Sequence, residues 1–309
     1  MSHEEVEDRR VRLESLSTPD GPLNIGAPHA TVMVKANFRT VAGEWVPTAA
    51  RRKLHTDLLD RWRANTPPPR QERKATLFAG PPAAGKSTLM GAHGTHLGEH
   101  RRIDADDFKT LLLEAAVLDG SIRTLLPERL RNNQEEQFHP LELSALAHHE
   151  STILQARALS EAMYAGENVA VDGTLGHMPW AKELVGQLGD FGYEIHVIDV
   201  EARQEISLAR VVERWRAGYE NALAHPGEPK AAMGGRWLPS SAVTRLFTPG
   251  RTLSHCEKNA SDIAFNFSEV VKYDLYRTSA PMEPPKHEQS WKRTADGEWM
   301  DLSIPPSNA

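Results

Sequence analysis

Short apolar runs alternating with longer helical patterns predict an α/β fold for this chain, in three layers, with a mostly parallel central sheet flanked by helices. Three runs carry that reading: Ala75-Thr-Leu-Phe-Ala79, Asn168-Val-Ala-Val171 and Tyr193-Glu-Ile-His-Val-Ile-Asp-Val200. Each is β-prone and short enough for a buried strand. Helical stretches lie between them, which is the crossover length that parallel neighbours require.

With 309 residues, 39% hydrophobic and 25% charged, the chain has material for a sizeable core and is neither wholly disordered nor fibrous in composition. A formal net charge of −6 works against bulk attraction to nucleic acid or an anionic membrane and suits a small anionic ligand in a local basic pocket. Cys256 is the single cysteine, so an intrachain disulfide and a cysteine-rich metal site are excluded. The charged N-terminus lacks the apolar stretch of a secretory signal, and no run approaches bilayer length. The expectation is a soluble, cytoplasmic protein without a membrane partner.

In chain order, residues 1–47 read as an N-terminal extension with scattered charges, no sustained helical period and one β-prone run, Ala30-Thr-Val-Met-Val34. Leu54, Leu58, Leu59 and Trp62 then mark an amphipathic helix capped by Thr48 and ended by Pro67-Pro68-Pro69. After the first buried strand a helix is expected from Lys86 to about His96. Arg101-Arg102-Ile103 leads into an acidic cluster, with further helices near 106–117, 143–165 and 203–218. Residues 222–240 read as a mobile loop, 262–267 and 270–277 as added edge strands, and 281–309 as a partly ordered, proline-rich tail. The body of the fold is therefore expected over residues 48–280.

The first strand runs into Gly80-Pro81-Pro82-Ala83-Ala84-Gly85-Lys86-Ser87-Thr88, a match to G-x-x-x-x-G-K-[ST] with a strand before it and a helix after. Glycines let the backbone curl round a phosphate with its N–H groups inward, and the following helix adds partial positive charge. Lys86 offers a mobile cation to the β- and γ-phosphates, and Ser87 a hydroxyl for Mg²⁺. The loop implies a P-loop nucleotide-binding fold, with ATP and Mg²⁺ as the expected cofactors.

A P-loop alone serves many activities, and the next motif narrows them. Asp104-Ala-Asp106-Asp107-Phe108-Lys109 falls where strand ends gather around a nucleotide. Asp106 is the candidate base for an attacking hydroxyl, although Asp is also a common helix cap. Asp104 and Phe108 belong to the substrate side of the same motif. Asp172 and Thr174 end another strand and face the same cleft, although Asp-Gly is also a frequent turn. Arg210 and Arg214 lie one helical turn apart, and Arg236 follows in a glycine-rich loop, where arginines could stabilise charge on a transferring phosphoryl group. Glu150 is a further substrate candidate. His148-His149-Glu150 and His93-Gly-Thr-His96 fit no zinc signature.

Taken in order, residues 80–88, Ile103-Asp-Ala-Asp106-Asp-Phe-Lys109, Asn168-Val-Ala-Val-Asp172-Gly-Thr174, Leu208-Ala-Arg-Val-Val-Glu-Arg214 and Gly235-Arg236-Trp-Leu-Pro239 resemble the zeta-toxin family of P-loop kinases over about residues 48–275. The resemblance implies phosphorylation of the 3′-hydroxyl of a nucleotide-sugar such as UDP-N-acetylglucosamine. By it, Lys86 and Ser87 handle ATP and Mg²⁺, Asp106 is the base, Asp172 and Thr174 bind substrate, and Arg214 and Arg236 stabilise phosphate. Two positions depart from the family pattern: Asp172 stands where glutamate is common, and Gly176 where a basic residue can contact substrate. A toxin of this kind would have an antitoxin protein over its ATP cleft.

Alternatives are a kinase of another metabolite such as NAD, and a non-catalytic switch that binds ATP. A nucleic-acid end kinase is disfavoured by the net charge and by the lack of a basic stripe interleaved with aromatics.

Overall fold

The computed structural model describes residues 3–92, 97–133 and 136–303. In chain order these form α1 (His3–Leu16), β1 (Phe38–Val41), β2 (Glu44–Pro47), α2 (Ala49–Ala64), β3 (Lys74–Ala79), α3 (Lys86–Ala92), β4 (Arg101–Asp104) and α4 (Ala105–Leu118). There follow α5 (His148–Ala165), β5 (Val169–Asp172), α6 (Met178–Asp190), β6 (Glu194–Ala202), α7 (Gln204–Ala224), α8 (His255–Asn266), β7 (Val270–Thr278), β8 (Lys286–Arg293) and β9 (Trp299–Asp301). The chain divides into two compact units. The first comprises Met1–Asn65, Ala105–Arg157 and Val211–Ser240, and the second Thr66–Asp104, Ala158–Arg210 and Ser241–Ala309.

The second unit holds a seven-stranded sheet in the order β4-β5-β3-β6-β7-β8-β9. The first five strands are mutually parallel, and β8 and β9 continue the sheet antiparallel. Strand β3 lies inside the parallel part, and its apolar run is buried on both faces from Ala75 to Ala79. One face of the sheet meets the segment after β3 through Phe78, Ala84, Leu89, Ala170, Ile198, Val200, Ala202 and Ile206. Helix α8 packs against β6 and β7 and also meets α6. This is the expected mostly parallel sheet flanked by helices.

In the first unit α2 starts at Thr48, whose side chain accepts the Arg51 N–H, and it buries His55, Leu58, Leu59 and Trp62. A core of Val6, Leu13, Leu16, Leu23, Leu113, Leu143, Leu146, Trp215, Tyr219, Met233 and Trp237 fills the unit. Trp215 stacks on Tyr219 at 5.3 Å between ring centroids and meets Trp237 edge-on at 5.5 Å.

Several local expectations are corrected. Residues 3–16 are helical, and residues 30–34 form turns, with the strand pairing displaced to the β1–β2 hairpin. Residues 262–266 belong to α8, which buries Cys256, Asn259, Ala260, Ile263 and Ala264 at helical spacing. Strand β7 is paired on both sides and is not an edge. Within 222–240, α7 continues to Ala224, a short helix spans Pro229–Ala232, and Met233 and Trp237 are buried. No helix among the described residues is long and apolar enough to cross a membrane.

Candidate active site

The phosphate-loop sequence sits at the carboxyl end of β3, in the second unit. Gly80 has φ +116°, its N–H donates to the Thr174 carbonyl at 3.2 Å, and a Cβ there would lie 1.9 Å from the Val200 carbonyl oxygen. Only glycine fits that conformation and that approach. Gly85 has the same φ, +116°, while Ala83 occupies the left-handed region at +58°. Lys86 folds back over the loop, its ammonium donating to the carbonyls of Gly80 at 2.8 Å and Pro81 at 3.0 Å. Ser87 and Thr88 are exposed in the first turn of α3.

The neighbouring strand ends bring two acids into register. Asp172, the last residue of β5, pairs with Asp104 of β4 on one side and Phe78 of β3 on the other. Asp104 forms an ion pair with Arg102 at 2.7 Å. Thr174 braces its own turn, its hydroxyl oxygen accepting the Gly176 N–H at 3.1 Å.

The first unit contains the other charged group. Asp106 lies in the first turn of α4 with 35% of its side chain exposed, and its Oδ1 takes Lys109 Nζ at 2.8 Å and Arg236 Nη1 at 3.2 Å. Burial alone would raise its pKa, but the charges of Lys109 and Arg236, the Lys109 hydrogen bond and the charge of Arg214 hold it well below the usual carboxylate range. These cations favour the ionised form of Asp106.

The placement of Arg236 follows from its neighbours. Trp237 anchors the segment in the core and donates to Ser17 Oγ at 2.9 Å. A Cβ on Gly235 would lie 1.9 Å from the Trp215 carbonyl oxygen, so glycine lets this segment press against α7. Arg236 is left to reach α4, where it also donates to Thr110 Oγ1 at 2.9 Å. Arg214 is exposed on α7. The structure thus gathers Asp106, Arg214 and Arg236 and adds Lys109, which the sequence reading quoted without assigning a role.

Two substrate candidates have interior positions. Phe108 is fully buried and packs on Trp62 at 5.3 Å between centroids. Glu150 is also fully buried, accepting from Arg51 Nε at 2.5 Å and Nη2 at 2.7 Å, with His55 Nε2 at 2.7 Å. Burial would raise its pKa, but the His55 and Arg51 hydrogen bonds and the Arg51 charge bring it to about 2. This is an internal ion-pair network, with no exposed surface left for a ligand. Among the described residues no group of three or more His, Cys, Asp or Glu could hold a metal ion. His149 packs instead against Trp45 at 4.7 Å, while His93 and His96 lie outside the described residues.

Arg210, one helical turn before Arg214, is placed differently. Its guanidinium is committed to backbone carbonyls, among them those of Ala83 at 3.2 Å and Ala84 at 3.3 Å.

Comparison with known proteins bears on the fold. The crystal structure of the AvrRxo1-ORF1:-ORF2 complex superposes with TM-score 0.53 at 18% identity, covering 83% of this chain and 71% of that chain. The AvrRxo1-ORF1:-ORF2 structure with ATP gives TM-score 0.50 at 19% identity over the same shares, 83% and 71%. A structure from the PezAT chromosomal toxin-antitoxin system of Streptococcus pneumoniae gives 0.49 at 14% identity, covering 79% of this chain and 82% of that one. No curated protein sequence matches. The Zeta toxin family model matches residues 59–253, more than half of the chain, from α2 through the phosphate loop, Asp106, Asp172 and Arg236. The chain belongs to the zeta toxin family.

Proposed function

We propose that the protein is an ATP-dependent kinase that transfers the γ-phosphate to a hydroxyl of a small molecule, with a nucleotide-sugar such as UDP-N-acetylglucosamine as the acceptor class. The observation that carries this reading is Asp106, an ionised carboxylate held by Lys109 and Arg236, in a chain that also has a complete phosphate loop on β3. A nucleotide-binding switch has need of the loop but not of the carboxylate and its cations.

In this reading the loop amides and Lys86 bind the triphosphate. Ser87, whose hydroxyl is exposed, and Asp172, at the end of the adjacent strand, are the oxygen donors suited to Mg²⁺. A bound Mg²⁺ supplies charge neutralisation on the phosphate oxygens. Asp106 orients the acceptor hydroxyl and takes its proton. Arg214 and Arg236 stabilise charge on the transferring group, and any phosphate that draws Arg236 from Asp106 raises the carboxylate's proton affinity at that moment. Asp104 and Thr174 are assigned to the acceptor, and Asp172 grips an acceptor hydroxyl where it is not engaged with Mg²⁺.

The test is mass spectrometry of products after incubation with ATP, Mg²⁺ and nucleotide-sugars, with NAD and a metabolite extract in parallel. Wild type should yield one phosphorylated product, and Asp106→Asn should bind ATP without forming it. Equal turnover by the two proteins removes Asp106 as the base, and no phosphorylated product from any pool removes the kinase reading. We also propose that the enzyme acts as a toxin restrained by an antitoxin. Expression of wild type should then arrest growth while Lys86→Ala does not, and a co-expressed antitoxin should restore it.

A further inference from the structure

In a trans peptide the C=O and N–H point in opposite directions, so whatever fixes a carbonyl also aims the next residue's amide. Among the described residues there is no cis peptide. Three consecutive carbonyls of the phosphate loop are gripped by side chains. Ser207 Oγ donates to the Pro82 carbonyl, Arg210 Nη1 to those of Ala83 at 3.2 Å and Ala84 at 3.3 Å, and Thr278 Oγ1 to that of Ala84 at 2.7 Å. The amides in those same three peptides belong to Ala83, Ala84 and Gly85 and point the opposite way. That of Ala84 donates to the Pro81 carbonyl at 3.3 Å, closing the turn of the loop, which leaves those of Ala83 and Gly85 as the amides the grip would aim at a phosphate.

The same guanidinium reaches further along the chain. Arg210 Nε donates to the Pro281 carbonyl at 2.8 Å, and Nη2 donates to those of Ala280 at 3.4 Å and Glu283. Pro285 closes on the loop so nearly that a Cβ on Gly85 would lie 2.4 Å from its Cγ. Thr278 is buried at the end of β7, and residues 278–285 lead directly into β8. All of this segment lies beyond residues 59–253, the part matched to the family model.

We propose that Arg210 and Thr278, with Ser207, are positioning residues that hold the outer carbonyls of the cradle, and that the strap of residues 278–285 is a built-in brace of the nucleotide site. The inference rests on the kinase reading, and it gives Arg210 a role without contact to nucleotide. Arginine suits this role because the donors of its planar fork are fixed in direction and spaced apart, so one side chain reaches carbonyls of the loop and of the strap together. Amides that are aimed before binding cost no reorganisation when phosphate arrives.

The test uses the full-length protein and measures ATP binding by calorimetry together with KM and kcat. Thr278→Val keeps the shape and removes the donor, and Thr278→Ser keeps the donor. Thr278→Val should raise Kd and KM for ATP about 10-fold with kcat at saturation within about threefold, because uniform binding is what is lost. Thr278→Ser should restore wild-type values. Arg210→Met should have the larger effect in the same direction, and unfolding temperatures without nucleotide report whether it folds. A merely structural Thr278 would lower the unfolding temperature without the rise in KM that serine reverses. Equal ATP affinity in wild type, Thr278→Val and Thr278→Ser overturns the brace while leaving the kinase reading standing. A folded wild type that binds no ATP overturns the kinase reading and the brace with it.

Discussion

Arg236 holds Asp106 at two points, its Nη1 lying 3.2 Å from the carboxylate Oδ1 and 3.0 Å from the backbone carbonyl oxygen of the same residue. One guanidinium thus fixes both the charge and the start of the helix that carries the proposed base. Removing Arg236 takes away a positive charge that lowers the Asp106 pKa, so that pKa must rise. In Arg236→Ala the acid limb of the kcat/KM profile should move to higher pH, and kcat should fall on the order of 100-fold or more. A pH–rate comparison of the two enzymes checks the sign; an unmoved limb disconnects Arg236 from Asp106.

Gly80→Ala should be disruptive. The positive φ alone costs about 1–3 kcal/mol in a non-glycine residue, and a Cβ would lie 1.9 Å from the Val200 carbonyl oxygen. Chemical denaturation should show lost stability along with lost ATP binding. Gly43→Ala is the control, since it too has positive φ, +88°, but meets nothing within 4 Å.

Asp199 and Glu201 point to the same side of β6, and both are buried. Burial pushes Asp199 up to about 7 and Glu201 well above its usual value; the Asp199 charge adds to the rise at Glu201, while the hydrogen bond from Glu201 holds Asp199 lower than burial alone would. Tyr273 donates to Asp199 at 3.0 Å, and Cys256, Glu257 and Arg277 are charged or titratable neighbours. The folded chain holds a proton here that the unfolded chain releases above about pH 4, so stability falls as pH rises from there through about 7. The slope is about 1.4 kcal/mol per pH unit for each proton retained. Thermal unfolding between about pH 6 and 8 should show a steeper loss in wild type than in Glu201→Gln. Parallel curves would mean that the pair holds no such proton.

Glu150 has the opposite sign. Its pKa of about 2 when folded means that its stabilisation is complete above the unfolded value of 4.5 and disappears as pH falls toward 2. Arg51→Met leaves that carboxylate buried without its main partner and should cost about 3–5 kcal/mol. Urea titrations at neutral pH measure this, and a loss below 1 kcal/mol would show that His55 alone supports the charge.

The parallel strands were legible because burial on both faces writes them as unbroken apolar runs, as in Ala75-Thr-Leu-Phe-Ala79. Strand β8 was not, since Lys-His-Glu-Gln-Ser-Trp-Lys-Arg is mostly exposed and marks itself by pairing with β7 and β9. Helix α1 escaped notice because Val6, Leu13 and Leu16 are thinly spread among charges, and their partners are Trp215 and Trp237, some two hundred residues away. Of the candidate site, the loop and Asp106 could be read from motif and context. Phe108 and Glu150 could not be distinguished from ligand contacts, because nothing local in the sequence reveals what packs on them. The work of Arg210 left no trace either: its acceptors are backbone carbonyls, which every residue has.

The core of the first unit draws on residues 6–30, 113–146 and 215–237. A chain growing on the ribosome therefore cannot close that core until Trp237 has emerged from the exit tunnel. Thr278 and Pro285 emerge later still, so the nucleotide loop is synthesised long before the groups that grip it. The order of synthesis thus places completion of the proposed ATP site after Pro285 has emerged, some two hundred residues behind the loop itself.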